Sequence, residues 1–191
     1  MAHRRGHRHV LSIVLTLLVA GAAHYVSKHP EQIVRLTQKV PAGSYVVTEF
    51  IDGDTIAVNM NGKQEKIRMI GVDTPETHDP RKAVECFGQA AAAYTKQLIG
   101  NGPVRLEADP LSTNRDRYDR LLRYVYTNNG DLVEAEIIKN GYGFAYLGFP
   151  FTKSDEFRRD EEQARSQNKG LWSGCKPYFD PQGHIHSNPA S

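Results

Sequence analysis

The dipeptide Asn61-Gly62 stands between two runs that alternate apolar with polar or small residues, Thr55 to Met60 and Lys66 to Val72. Two residues that tolerate positive φ between alternating runs specify a type I′ turn, so the register of one antiparallel hairpin is set at the outset. Upstream, Tyr45 to Ile51 is rich in β-branched and aromatic residues and reads as another strand. Gly53, between the first two strands, predicts a bulge or sharp bend that turns Asp54 out of the ladder. The third strand is expected to end at Asp73, because Pro75 cannot continue as a central strand.

An alanine-rich helix is predicted over 88–99, stopped by Gly100-Asn101-Gly102, and two more strands follow at 104–108 and 121–126. A second helix is predicted from an Asp131 cap to Asn140-Gly141, with Leu132, Val133, Ala135, Ile137 and Ile138 as its apolar face. A third, capped by Thr152 or Ser154, runs to about Asn168, and Phe157 and Ala164 form its apolar stripe. A three-strand meander, a helix, two strands and then helices define an α+β chain. The expected fold is a five-stranded OB-type β-barrel with about three helices packed on it.

Residues 1–26 combine a basic start, a short apolar run and the small residues Ala20-Gly21-Ala22, the pattern of an export signal peptide. If Ala23 to Val26 extend the run, an uncleaved membrane anchor is the alternative. Residues 27–43 read as a linker and 44–175 as the domain. Residues 176–191, with three prolines and no periodicity, are expected to be disordered. The net charge of +2 is misleading: residues 1–22 hold three arginines and no acid, leaving 21 basic against 22 acidic residues in the remainder. Nucleic acid would therefore be held by a local patch, which excludes a binder whose whole surface is basic.

Asp54, after the glycine bend, and Asp73, at a strand end in the same sheet, are expected to meet at one rim. Two carboxylates, with a backbone carbonyl such as that of Thr74 and several waters, fall within the coordination range of Ca²⁺, and Asp52 would stand behind them. Taken alone, Asp52-Gly53-Asp54-Thr55 also suits an ordinary turn. An EF-hand is a poorer reading, since Lys63 occupies the position of the twelfth-residue Glu. Arg68 and Arg120 are candidate phosphate partners, because guanidinium forks match phosphate oxygens; each alone also suits a surface ion pair. Glu76, three residues past Asp73, is placed either to act as general base or to orient a water. Cys86 and Cys175 are the only cysteines, a disulfide in an exported chain and two thiols in an unexported one.

Together, Ile51 to Thr55, Ile67 to Glu76, Phe87-Gly88, Arg117 to Arg120, Gly141 to Tyr146 and Gly170 to Ser173 resemble the staphylococcal nuclease (thermonuclease) family over residues 45–173. The resemblance implies an OB-fold, Ca²⁺ dependence, and hydrolysis of DNA and RNA to 3′-phosphate products. It assigns Asp54, Asp73 and the Thr74 carbonyl to Ca²⁺, and Arg68, Glu76 and Arg120 to catalysis. Tyr118 and Tyr146 match nucleotide-contacting positions, with core packing as the other reading of Tyr146, and Arg81, Lys82 and Arg117 supply the basic patch. Two departures stand out. Asp119 replaces a glycine and adds a negative charge beside Arg120, while Gly148 replaces a pocket aromatic, with Phe149 next to it.

The expected function is an exported, calcium-dependent, sugar-non-specific endonuclease. It would be a monomer acting on single-stranded or locally open DNA and RNA, secreted or held at the outer face of the membrane by its N-terminal segment. The rivals are a catalytically silent OB module that binds nucleic acid at the cell surface, and a surface-anchored scaffold. The retained acids and arginines argue against both.

Overall fold

In the computed structural model, which describes residues 24, 27, 28, 43–77, 83–181 and 185–190, Asn61 and Gly62 both take positive φ, 55° and 87°. They join β2 (Thr55–Met60) to β3 (Lys63–Met69), and the Met60↔Lys63 pair closes the predicted two-residue turn. β1 (Ser44–Phe50) pairs with β2 and carries a register shift between Val47 and Glu49, so the irregularity lies in β1 while Gly53 sits in the bend that follows. β5 (Val104–Glu107) and β6 (Leu121–Tyr126) complete a closed barrel in the order β1-β2-β3-β6-β5. Closure leaves no free edge, and the parallel β3–β6 pairing sets Arg68 beside Leu122.

The third strand is shorter than expected. Gly71, at φ 73°, breaks it after Met69, and a Cβ there would lie 2.6 Å from the Phe151 ring. Beyond the break, β4 (Val72–Asp73) pairs with β7 (Phe144–Ala145) outside the barrel.

The barrel core of Ile56, Val58, Ile67, Met69, Val104 and Val125 continues into Val133, Ile137 and Ile138 of α2 (Val133–Lys139). α1 (Gly88–Ile99) buries Gly88, Ala91, Thr95 and Ile99, one stripe at helical spacing. α3 (Ser154–Ser166) buries only Phe157 and Ala164, the predicted pair, and the short α4 (Leu171–Gly174) anchors Leu171. The expected caps are not used. Asp131 bonds back to Thr127 and leaves Leu132 at the α2 N-cap, while Lys153 occupies the α3 N-cap with no side-chain bond.

The chain divides into two units, 1–39 and 40–191. In the first, His24, Ser27 and Lys28 are helical and exposed, and the predicted export segment otherwise lies outside the described residues, as does most of the linker. No helix among the described residues is long and apolar enough to cross a membrane.

The C-terminal segment corrects the expectation of disorder. β8 (Tyr178–Phe179) pairs with β9 (Ile185–His186), Pro189 bridges to Glu85, and the Cys86 and Ala190 amides bond to the Asn188 and Val84 carbonyls. Ser187 is 1% exposed and donates its hydroxyl to the Cys86 carbonyl. Two-residue strands carry no periodicity to read, so pairing across a long sequence separation determines their conformation. Beside them Cys86 and Cys175 form a disulfide with Cα atoms 5.9 Å apart across 89 residues. Closing so long a loop restricts the unfolded chain, and its reduction is expected to lower the unfolding free energy by about 2–5 kcal/mol. Urea unfolding with and without dithiothreitol measures this, and an unchanged midpoint would contradict it.

Candidate active site

The site begins at the bend between β1 and β2. A Cβ on Gly53 would fall 2.7 Å from Thr74 Oγ1, so only glycine lets this backbone lie against Thr74. Thr95 of α1 donates its hydroxyl to the Gly53 carbonyl at 2.6 Å, and the Met69 amide bonds to the Asp54 carbonyl at 2.9 Å. Asp54 is thus fixed from three sides and only 7% exposed. Its Oδ1 accepts the Thr55 hydroxyl, and its Oδ2 accepts the Thr74 amide at 3.0 Å.

Arg68 crosses from β3 to the same place. Its Nη1 donates to the Met69 and Val72 carbonyls at 2.8 and 2.6 Å, bracing the Gly71 turn. Its Nη2 lies 2.9 Å from Asp73 Oδ1 and 3.2 Å from Asp54 Oδ2. The two carboxylates therefore converge, their separation bounded by the sum of those distances. Burial opposes the guanidinium charge, but Asp54 and Asp73 hold Arg68 above the usual arginine range. Asp73 is pushed upward by its crowded setting and by Asp54, against the pull of Arg68.

Arg120 approaches from the loop before β6. Its Nε and Nη2 both reach Asp116 Oδ2 at 2.7 Å, and its Nη1 lies 3.4 Å from Thr55 Oγ1. Asp116 Oδ1 also accepts the Tyr118 and Arg120 amides. Burial works against the Asp116 charge, yet the Arg120 bonds hold its carboxyl below the usual range. Tyr118 is 63% exposed, with the Arg117 and Arg120 guanidiniums 4.8 and 5.4 Å from its ring. Arg68, Asp73, Arg117, Tyr118, Arg120 and Tyr146 line one open cleft of about 610 Å³.

Glu76 lies on the Asp52 side of this rim. Its amide and carbonyl are paired with Glu85, and its Oε1 accepts the Thr77 amide. Asp52 is pushed up to about 7 by burial, by a hydrogen bond with the Glu76 carboxyl and by the Asp54 charge. The predicted acids Asp54 and Asp73 are thus brought together on one guanidinium, while Glu76 stands beside Asp52. Their donors are all carboxylate oxygen, which fits a hard cation. Among the described residues no group of three or more His, Cys, Asp or Glu is gathered for a metal. An ion here would rely on Asp54, Asp73, a backbone carbonyl and water.

Tyr146 faces the cleft with Phe149, ring centroids 5.6 Å apart, and its ring lies over Gly148, where a Cβ would be 3.0 Å from it. Asp119 does not pair with Arg120; its carboxylate lies 3.5 Å from Arg115 Nε. Arg81 and Lys82 lie outside the described residues. Sequence reasoning missed Asp116, which sits four residues before Arg120 and is a partner only because the loop folds back. It also missed Glu134, whose carboxylate accepts the Val125 amide beneath the site and is fully buried.

Paired acids and guanidinium groups around an open cleft at a closed OB-type barrel define a class, the phosphodiester hydrolases built on this fold. A family model described as "Staphylococcal nuclease homologue" matches residues 66–174, and the chain belongs to that family. It is 39% identical over 156 residues to "Endonuclease YncB" of Bacillus subtilis, covering 81% of this chain and 68% of that protein. It is 40% identical over 131 residues to "Thermonuclease" of Staphylococcus hyicus, covering 68% and 76%. A third relative, "SPbeta prophage-derived endonuclease YokF" of Bacillus subtilis, is 40% identical over 125 residues, 64% of this chain but 42% of its own length.

Burial pushes Glu134 up to about 8, against the Val125 amide and the charge of Arg68. The folded state then keeps a proton that the unfolded chain releases above its ordinary value of 4.5. Stability should fall as pH rises from there towards 8 and level off beyond, by up to about 1.4 kcal/mol per pH unit from this group. Glu134→Gln is expected to flatten the slope between pH 7 and 8, where Asp52 and Asp73 contribute least. Urea unfolding across that range checks this, and equal slopes in both proteins would contradict it.

Proposed function

We propose that the chain is a calcium-dependent endonuclease hydrolysing phosphodiester bonds in single-stranded or locally open DNA and RNA to 3′-phosphate products. The observation that carries the reading is the convergence of Asp54 and Asp73 on Arg68 at a cleft that Arg120 also lines. The names of the relatives, endonuclease and thermonuclease, agree with it.

Asp54, Asp73 and the Thr74 carbonyl would hold Ca²⁺, which when bound supplies charge at the phosphate and acidifies a water. Arg68 spends Nη2 on both carboxylates as the structure stands. With those oxygens on an ion, Nη2 would be available to the cleft that Arg68 lines, Nη1 keeping its two carbonyls. Arg120, aligned by Asp116, presents a second guanidinium to the charge that develops on the phosphate oxygens. Glu76, beside Asp52 at the same rim, is placed to take a proton from, or to orient, the attacking water.

Tyr118 and Tyr146 offer rings on which any base can stack, and Arg117 supplies positive charge beside them. We further propose that the protein works outside the cytosol as a monomer, secreted or anchored through its N-terminal segment, a setting in which the Cys86–Cys175 disulfide persists.

Incubation of the purified protein with heat-denatured DNA should give cleavage in Ca²⁺ and none in EGTA. Cleavage that ignores chelation would remove the metal assignment, and binding without cleavage would favour a silent binding module. Arg120→Ala is expected to lower kcat by about 10²- to 10³-fold while the far-ultraviolet spectrum is kept. Undiminished turnover would show that Arg120 does not face the phosphate.

A further inference from the structure

The loop that delivers Arg120 is a small hairpin. The Leu122 amide bonds to the Asn114 carbonyl, Arg115 bridges to Leu121, and the Asp116 amide bonds to the Arg120 carbonyl. Its tip turns at Asp119, which holds φ at 63°, a left-handed conformation that costs a non-glycine residue and needs support from its surroundings. Asp119 is joined directly to Arg120, so its backbone angles set where Arg120 leaves the turn.

Arg115 supplies the support. Its Nη1 donates to the Asp119 carbonyl at 2.6 Å, and its Nε lies 3.5 Å from Asp119 Oδ1. Its Nη2 reaches Glu65 Oε2 on β3 at 3.0 Å. Glu65 is 8% exposed and belongs to the same strand as Arg68, three residues ahead of it. Lys63 and Arg115 hold the Glu65 carboxyl below its usual range. One guanidinium therefore ties the barrel strand that carries Arg68 to the strained residue that launches Arg120. Asp116 fixes the guanidinium end of Arg120, and Arg115 fixes its backbone origin.

We propose that Arg115 is a positioning residue for the hydrolytic reaction: pinned by Glu65, it holds Asp119 in its left-handed turn and so sets the direction of Arg120. Arg115 touches no substrate in this role. The inference rests on the reading that Arg120 acts on the phosphate.

The test compares steady-state hydrolysis of a single-stranded oligonucleotide by the wild type, Arg115→Met, Asp119→Gly, the double variant, Glu65→Gln and Arg120→Ala. Displacing a catalytic group by a fraction of an ångström to an ångström lowers turnover, so Arg115→Met should lose about tenfold in kcat with KM within twofold. Glu65→Gln, which keeps the acceptor oxygen, should lose less in the same direction and provides the reading if Arg115→Met folds poorly. Glycine adopts the left-handed turn unaided, so Arg115→Met in the Asp119→Gly background should lose less than it does alone. Equal losses in both backgrounds, a kcat within twofold of wild type, or a loss confined to KM would each overturn the proposal. If Arg120→Ala keeps full turnover, the reading of Arg120 fails first, and that result is seen separately from the behaviour of Arg115.

Discussion

The contact on which the site depends is the sharing of one Arg68 nitrogen between Asp54 and Asp73. Two carboxylates drawn together in a crowded rim repel each other, and without a cation between them one would have to protonate or withdraw. The guanidinium solves this internally, with its other nitrogen anchored on the Met69 and Val72 carbonyls. The same arm therefore closes the turn at Gly71, sets the course of the chain into Asp73 and Thr74, and neutralises the acids. Loss of activity on changing Arg68 would therefore reflect its hold on the two acids as well as any contact with phosphate.

The barrel topology makes this sharing possible. Asp54, Arg68 and Asp73 come from the bend before β2, from β3 and from β4, and the parallel β3–β6 pairing then brings the Arg120 loop beside them. Rigid neighbours hold each part: Thr95 of α1 on the Gly53 carbonyl, Asp116 on Arg120, and Glu134 on the Val125 amide of β6. The buried Glu134 is costly, since its carboxyl sits without exposure against strand and helix. It meets the amide of a barrel strand from the first turn of α2, a bond that an apolar residue could not make. Positioning of the site is thus distributed over Asp116 at the cleft and over Thr95 and Glu134, which do not line it.

Much of this was legible in the chain because short-range chemistry dictated it. Asn61-Gly62 could form only one economical hairpin, Gly53 marked a bend that no side chain would permit, and Phe157 with Ala164 gave the single apolar stripe of α3. The converging acids and arginines were legible as residue types on strand ends and loops. What escaped was set by distant partners. Gly71 splits a strand because Phe151 fills the space above it, and Asp131 closes a turn with Thr127 in place of capping α2. The C-terminal segment pairs with 84–86, and nothing local in its proline-spaced sequence foretells that. Glu134 gives no local sign of its burial, since periodicity does not show which polar residue is turned inward.

If Arg68 occupies the place that a divalent ion would otherwise hold, the two must compete for the same oxygens. Calorimetric titration of Ca²⁺ into the protein without substrate, repeated on Arg68→Met and Asp54→Asn, measures that competition directly. A single site should appear in the wild type, tighten about tenfold in Arg68→Met and disappear in Asp54→Asn, as expected when a charged competitor or a ligand is removed. Equal affinity in the wild type and Arg68→Met, or binding that survives Asp54→Asn, would contradict the account.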